Sequence, residues 1–381
     1  MIRPCVPAKL SRPRLFNITN RNVVFALLDE KQTNHPVIWI TGSPGSGKTA
    51  LVSSYTLERN LPVLWYLLDS GDNDIAAFFG YLAQASGEAA EDAHLALPTL
   101  IPEDLQDLAD FSRRFFRSLF ARLPANTVVV LDNYHTIDPA SVFHEVIQQA
   151  MQELPHDIHL QVISRTAPPP RFARLVASNL LGQIDETDLY LTAEEICLIA
   201  HKSGLALDEV TLQLLQNQSE GWVTGLMLML EQIKQSGASN PSASIDNHLV
   251  SGYFSSEVFD PAPQAMREFM IRTALLPYMT AEMADQMDGC EHSRKMLEQL
   301  CHHRSFINRQ NGKALLYRYH PLFRHFLIDQ FNRYFSPDES RCILQTGATL
   351  MEQHGDVETA AELLARAQAW EEDQPPRLIM A

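Results

Sequence analysis

Eight residues, GSPGSGKT, running from Gly42 to Thr49, constrain the fold more than any other feature of the chain. They follow an apolar run, HPVIWIT, and lead into ALVSSYTLERN, whose spacing predicts a helix. The stretch fits GxxxxGK[ST] at every position and lies between a predicted strand and a predicted helix, the context that gives this pattern its meaning. Gly42, Gly45 and Gly47 let the backbone adopt conformations and close approaches that a Cβ would obstruct. Loop N–H groups then point at phosphate oxygens, aided by the helix N-terminus, with Ser43, Pro44, Ser46 and Ala50 completing the cradle. Lys48 supplies a point charge for the β- and γ-phosphates, and the Thr49 hydroxyl is suited to Mg²⁺. The plainer alternative is a glycine-rich turn followed by a chance Lys-Thr pair.

A phosphate loop of this type needs a second Mg²⁺ anchor, an acid ending an apolar strand. VVVLDNYH supplies Asp132, although an aspartate after a strand is also a common turn residue. Asn133 follows where many ATPases place a second acid. A carboxamide orients water but cannot take its proton, so slow hydrolysis is expected. HLQVISRTAPPP sets Ser164 and Arg165 at the end of another apolar run. Strand C-termini open onto the ligand crevice of such sheets, so Arg165 is a candidate γ-phosphate sensor; a surface ion pair is the alternative.

The chain has 381 residues, too many for one ordinary core, and its 45% apolar and 20% charged composition is globular. No apolar run approaches the roughly 18 residues of a membrane span, and the N-terminus lacks a signal peptide's apolar centre. The expected compartment is the cytoplasm. Five scattered cysteines, never paired as CxxC, suit reduced thiols, and the 14 histidines include no HExxH. The formal net charge is −16, from 30 basic and 46 acidic side chains. That balance argues against a basic nucleic-acid-binding stripe. The cluster Arg113, Arg114 and Arg117 lies on a helical pattern whose apolar stripe is Leu108, Phe111, Phe115, Leu119 and Leu123, so it reads as a solvated face.

Near-continuous apolar runs at 37–41, 61–68, 127–132 and 159–164, with a further strand in LLGQIDETDLYLT, predict a parallel α/β sheet with helices on both faces. Thr192 and Glu195 have capping-box spacing, and helical patterns continue to about Lys234. QSGASNPSAS (235–244) reads as a linker. More helices follow, then RSFINRQNGKALLYRYH, which alternates like a hairpin turned at Asn-Gly and so suggests a winged helix. The last helical pair turns at His354-Gly355-Asp356. The expected domains are 1–35, bordering the nucleotide; 36–191, the P-loop domain; 192–240, helical; 241–335, winged helix; and 336–381, the start of a TPR-like arm.

Taken together, the chain resembles STAND-class P-loop NTPases, and is similar to the nucleotide-binding half of MalT-type regulators within the LuxR transcription-factor family. PAKLSRPRL (7–15), TGSPGSGKTALVSSY (41–55), WYLLDSGDND (65–74), VVVLDNYHTI (128–137) and ISRTAPP (163–169) carry the resemblance. LTAEEICLIA (191–200), SEGWVTGLMLML (219–230), FMIRTALLPYMTAEMADQM (269–287) and YRYHPLFRHFL (317–327) extend it over nearly the whole chain. The resemblance implies an ATP- or ADP-binding switch that self-associates in the ATP state, answers an inducer on a downstream arm, and has at most weak ATPase activity. It also implies that His320 contacts the β-phosphate of ADP, that Arg12 to Leu15 and Arg21 border the adenine, and that Gly225 stands in the place of a GxP-type motif lacking its proline. Trp222, Leu226 and Leu230 are expected as helix core. Because the sequence stops at Ala381 without a basic helix-turn-helix, direct DNA binding is not expected of it. A fragment and a natural short form both remain open, as do a defence or scaffold output and an active ATPase or kinase.

Overall fold

The computed structural model describes residues 7–15, 19–89, 96–236, 248–302, 306–311 and 315–369. The chain divides into two compact units, Met1–Ser203 and Gly204–Ala381. The expected linker therefore falls largely outside the described residues, as does Gly312 of the expected Asn-Gly turn.

The first unit is an α/β layer structure. Its elements are α1 (Asn22–Asn34), β1 (Val37–Thr41), α2 (Lys48–Glu58), β2 (Val63–Leu67), α3 (Ile75–Ala89) and α4 (Leu108–Phe120). They continue with β3 (Val128–Asp132), α5 (Phe143–Gln152), β4 (His159–Ser164), α6 (Ala173–Ala177), β5 (Leu181–Ile184) and α7 (Ala193–Lys202). The five strands pair in parallel in the order β2-β3-β4-β1-β5. Period-two alternation sends Trp39, Tyr66, Leu131 and Val162 into one apolar layer, against α3, α4 and α5. Ile38, Ile40, Val130 and Ile163 enter the other, against α1 and α2. Every residue of β1 and β3 is buried, which is why these runs lack polar residues except at their ends.

On α4, Phe111, Phe115 and Leu119 are buried as the spacing predicts. Phe116 and Phe120 are buried too, widening the stripe. Arg114 and Arg117 pair with Asp104, Asp110 and Glu153, so these guanidiniums form a solvated ion-pair face. The first unit reaches Ser203, past the boundary expected at 191/192. The reason is α7. Its expected capping box forms, with Glu195 N–H donating to Thr192 Oγ1 and Thr192 N–H to Glu195 Oε2. The same Glu195 carboxylate also binds Arg21, which fastens the helix to the start of α1.

The second unit contains α8 (Glu209–Ser219), α9 (Val223–Ser236), α10 (His248–Phe254), α11 (Gln264–Thr273), α12 (Ala281–Asp288) and α13 (Ser293–His302). The hairpin β6 (Ile307–Asn311) and β7 (Leu315–Tyr319) follows, then α14 (Pro321–Tyr334), α15 (Pro337–Gln353) and α16 (Val357–Ala369). Helices, a two-stranded antiparallel hairpin and a further helix make up the winged-helix portion. The last two helices form the antiparallel pair that the pattern around Gly355 predicts. No helix among the described residues is long and apolar enough to cross a membrane.

Candidate nucleotide site

Strand order positions the site. β1 lies between β4 and β5, so the loop leaving it opens at the C-terminal edge of the sheet, flanked by the ends of both neighbours. Open parallel sheets bind ligands at this edge. Gly45 and Gly47 have φ of 72° and 84°, left-handed backbone that side chains rarely adopt. Gly42 is required for a different reason. A Cβ there would lie 2.6 Å from Ser46 Oγ and 3.0 Å from Leu189 Cδ1. The loop is thus a concave turn whose backbone closes on the first residues of α2, an arrangement that suits phosphate oxygens.

Lys48 is buried at the start of α2. Its Nζ donates to Gly42 O at 2.7 Å, Ser43 O at 2.8 Å and Ser46 Oγ at 3.1 Å. Thr49 Oγ1 donates to Asp132 at 3.0 Å (Oδ2) and 3.2 Å (Oδ1). Asp132 is 1% exposed, and its Oδ1 also accepts Asn133 N–H at 2.9 Å. Burial pushes the Asp132 carboxyl above the usual carboxylate range, against the pull of the Thr49 hydroxyl, the Asn133 amide and the Lys48 charge. A hydroxyl and a buried carboxylate thus converge beside the phosphate loop, the donor set that suits Mg²⁺ bridged to a nucleotide. The fold thus brings Thr49 and Asp132, the two residues expected to anchor Mg²⁺, to hydrogen-bond distance of each other, although α2 and β3 are far apart in the chain.

Asn133 follows directly, in left-handed backbone at φ 61°, and its carbonyl accepts from Thr136. Arg165 is half-buried at the end of β4, and the Ser164 before it pairs in register with Thr41 of β1. Arg165 therefore starts the loop neighbouring the phosphate loop. Arg12 is half-buried, and burial draws its guanidinium down. Arg21 does structural work. It is 8% exposed and donates to Glu195, to Leu189 O at 2.8 Å and to Tyr190 O at 2.9 Å.

His320 lies in the second unit as the N-cap of α14. Its Nδ1 accepts Leu322 N–H at 3.3 Å, so the Nε2 proton donates to Ser219 O at 2.9 Å. Trp222, Leu226 and Leu230 are core residues at 0–2% exposure, as their helical spacing predicts. Gly225 is explained by packing. A Cβ there would lie 2.3 Å from the Trp222 ring and 3.0 Å from Leu322.

Two further residues touch the loop, and a third touches the end of β1 just before it. Ser43 N–H donates to Glu186 Oε1 at 3.0 Å, Thr41 Oγ1 donates to Asp185 Oδ1 at 3.2 Å, and Leu189 packs on Gly42. All three belong to the segment after β5. Their signal in the sequence was the acid pair ending the run LLGQIDE, but only the strand order shows that this run lies beside β1.

Residues 21–163 match the AAA ATPase domain family, and residues 255–339 match the MalT winged helix domain. The chain is 29% identical over 338 residues to the HTH-type transcriptional regulator MalT of Vibrio cholerae, covering 85% of this chain and 36% of that protein. It is 29% identical over 350 residues to the protein of the same name from Klebsiella pneumoniae, covering 84% and 36%. The chain thus spans about a third of the length of these relatives. Among solved structures, the Walker-type ATPase of Pyrococcus abyssi superposes with a TM-score of 0.56 at 13% identity, covering 84% of this chain and 99% of that one, a likeness of fold. The chain therefore joins an AAA ATPase domain to a MalT winged helix domain, and the ATPase domain implies a nucleotide site.

Proposed function

We propose that this chain is the adenine-nucleotide switch module of a MalT-type, signal-responsive transcriptional regulator. The observation that carries the reading is the convergence of Lys48, Thr49 and Asp132 at one loop, in a chain that also has the MalT winged helix. In this reading the loop amides and Lys48 bind the β- and γ-phosphates. Thr49 and Asp132 hold Mg²⁺, which when bound neutralises phosphate charge. Arg165, at the end of β4, senses the γ-phosphate.

Asn133 makes hydrolysis slow, because its side chain orients a water without accepting its proton. ADP and ATP then act as persistent states. A ligand shifts an equilibrium only as far as it distinguishes the two conformations, so the γ-phosphate is the group that must be read. ATP favours self-association, and an inducer acts through a downstream helical arm. The chain purified without added nucleotide should release ADP on denaturation, identified by mass spectrometry. Protein folded and pure yet free of any adenine nucleotide, and unable to take it up, would contradict this function.

A further inference from the structure

The carboxylate of Glu186 meets the phosphate loop from outside. Ser43 N–H donates to Glu186 Oε1, and Ser43 O accepts from Lys48 Nζ and from Ser46 N–H at 3.2 Å, so both backbone groups of this 3%-exposed residue are held. The next residue, Pro44, has no N–H to offer. Glu186 therefore takes the last backbone donor on the rising limb before Gly45.

Its own segment is braced. Asp185 N–H donates to Asp188 Oδ2 at 2.9 Å, closing a capping box over the 3-10 turn Glu186–Leu189. Thr41 Oγ1 ties Asp185 to the end of β1, and Arg21 secures Leu189 O and Tyr190 O from behind. Arg21 is anchored in turn by Glu195 at 3.0 and 3.2 Å. A carboxylate is an unsuitable phosphate ligand, since like charges repel. Bound to an amide, it is a strong acceptor.

We propose that Glu186 is a positioning residue for the phosphate loop. It holds the Ser43 limb in place when Lys48 turns its ammonium from the Gly42 and Ser43 carbonyls to a phosphate. Without Glu186 the Ser43 N–H has lost its acceptor when Lys48 turns away, the bond from Ser46 N–H to Ser43 O remains, and the further ordering of the limb comes at the expense of binding free energy. This role rests on the nucleotide-binding reading above.

The test uses the whole chain, stripped of nucleotide, and a fluorescent ADP analogue with Mg²⁺, with melting midpoints measured alongside. Glu186→Ala should weaken binding about tenfold, the order expected for losing a hydrogen bond to a charged group. Glu186→Gln keeps an acceptor oxygen and should bind within about twofold of the unaltered chain. That split, at matched melting midpoints, separates positioning from a general loss of stability. Equal affinity for the alanine variant and the unaltered chain would overturn the role, as would a glutamine variant as weak as the alanine one. An unaltered chain that binds no nucleotide would instead overturn the nucleotide reading itself.

Discussion

In the first unit, the loop 42–47 is held by polar atoms at hydrogen-bond distance: the Lys48 ammonium, the Glu186 carboxylate and Ser46 Oγ, with glycines at the left-handed positions. In the second unit, the turn joining α8 to α9 also needs left-handed backbone, at Glu220 (φ 45°) and Gly221 (φ 81°), but it is held mainly by rings. Trp222 packs on Tyr253, Phe254, Phe306 and His320, with centroids 4.9 to 5.8 Å apart. Glu220, strained for a residue with a side chain, is secured by its ion pair with Arg318. In a polar cradle a donor such as the Lys48 ammonium can exchange one acceptor for another while its neighbours stay in place. An aromatic cluster has no such substitute, so it fixes geometry.

The largest effect that would break this comparison is in the aromatic turn. Trp222→Ala should cost about 3–5 kcal/mol in chemical denaturation, the range for truncating a buried large aromatic. Trp222→Phe should cost less than half as much. A cost within the range of a surface substitution would show that the ion pair and backbone, not the rings, hold the turn. At the polar site, Asp132→Asn keeps an acceptor for Thr49 but removes the charge. The Mg²⁺-dependent gain in nucleotide affinity should fall about tenfold, with metal-free affinity nearly unchanged. Equal losses with and without Mg²⁺ would assign Asp132 to loop structure alone.

The smallest effect concerns pH. Because burial raises the Asp132 pKa above its ordinary 3.8, the folded chain takes up that proton more readily than the unfolded one. The Mg²⁺ contribution should therefore fade as pH drops through the raised pKa, sooner than an exposed aspartate would allow. The ligand-free fold should meanwhile gain slightly from the same proton. Titrations of the unaltered chain and Asp132→Asn over the acid range test this, and parallel profiles would contradict it.

These differences also explain what could be read from the sequence. The five strands were legible because burial on both faces demands unbroken apolar runs, and the phosphate loop because left-handed backbone beside a lysine demands glycine. Thr49 and Asp132, which the structure brings within hydrogen-bond distance, were each singled out by local context. Contacts set by strand order could not. Glu186 reaches Ser43 only because β5, the last strand of the five-stranded sheet in sequence, lies beside β1, the first. The contact that fastens α7 to the start of α1 joins Arg21 and Glu195, which are 174 residues apart. Glu220 was hidden for a related reason. Nothing local marks a glutamate for left-handed backbone, which Arg318 and the Trp222 cluster secure from elsewhere in the unit.

The most direct test of the account is calorimetric titration of the nucleotide-stripped chain with ADP in the presence of Mg²⁺, alongside Lys48→Ala. The account predicts saturable binding of one nucleotide per chain, lost or weakened at least about a hundredfold in the variant. No binding by the unaltered chain, or equal binding by the variant, would contradict it.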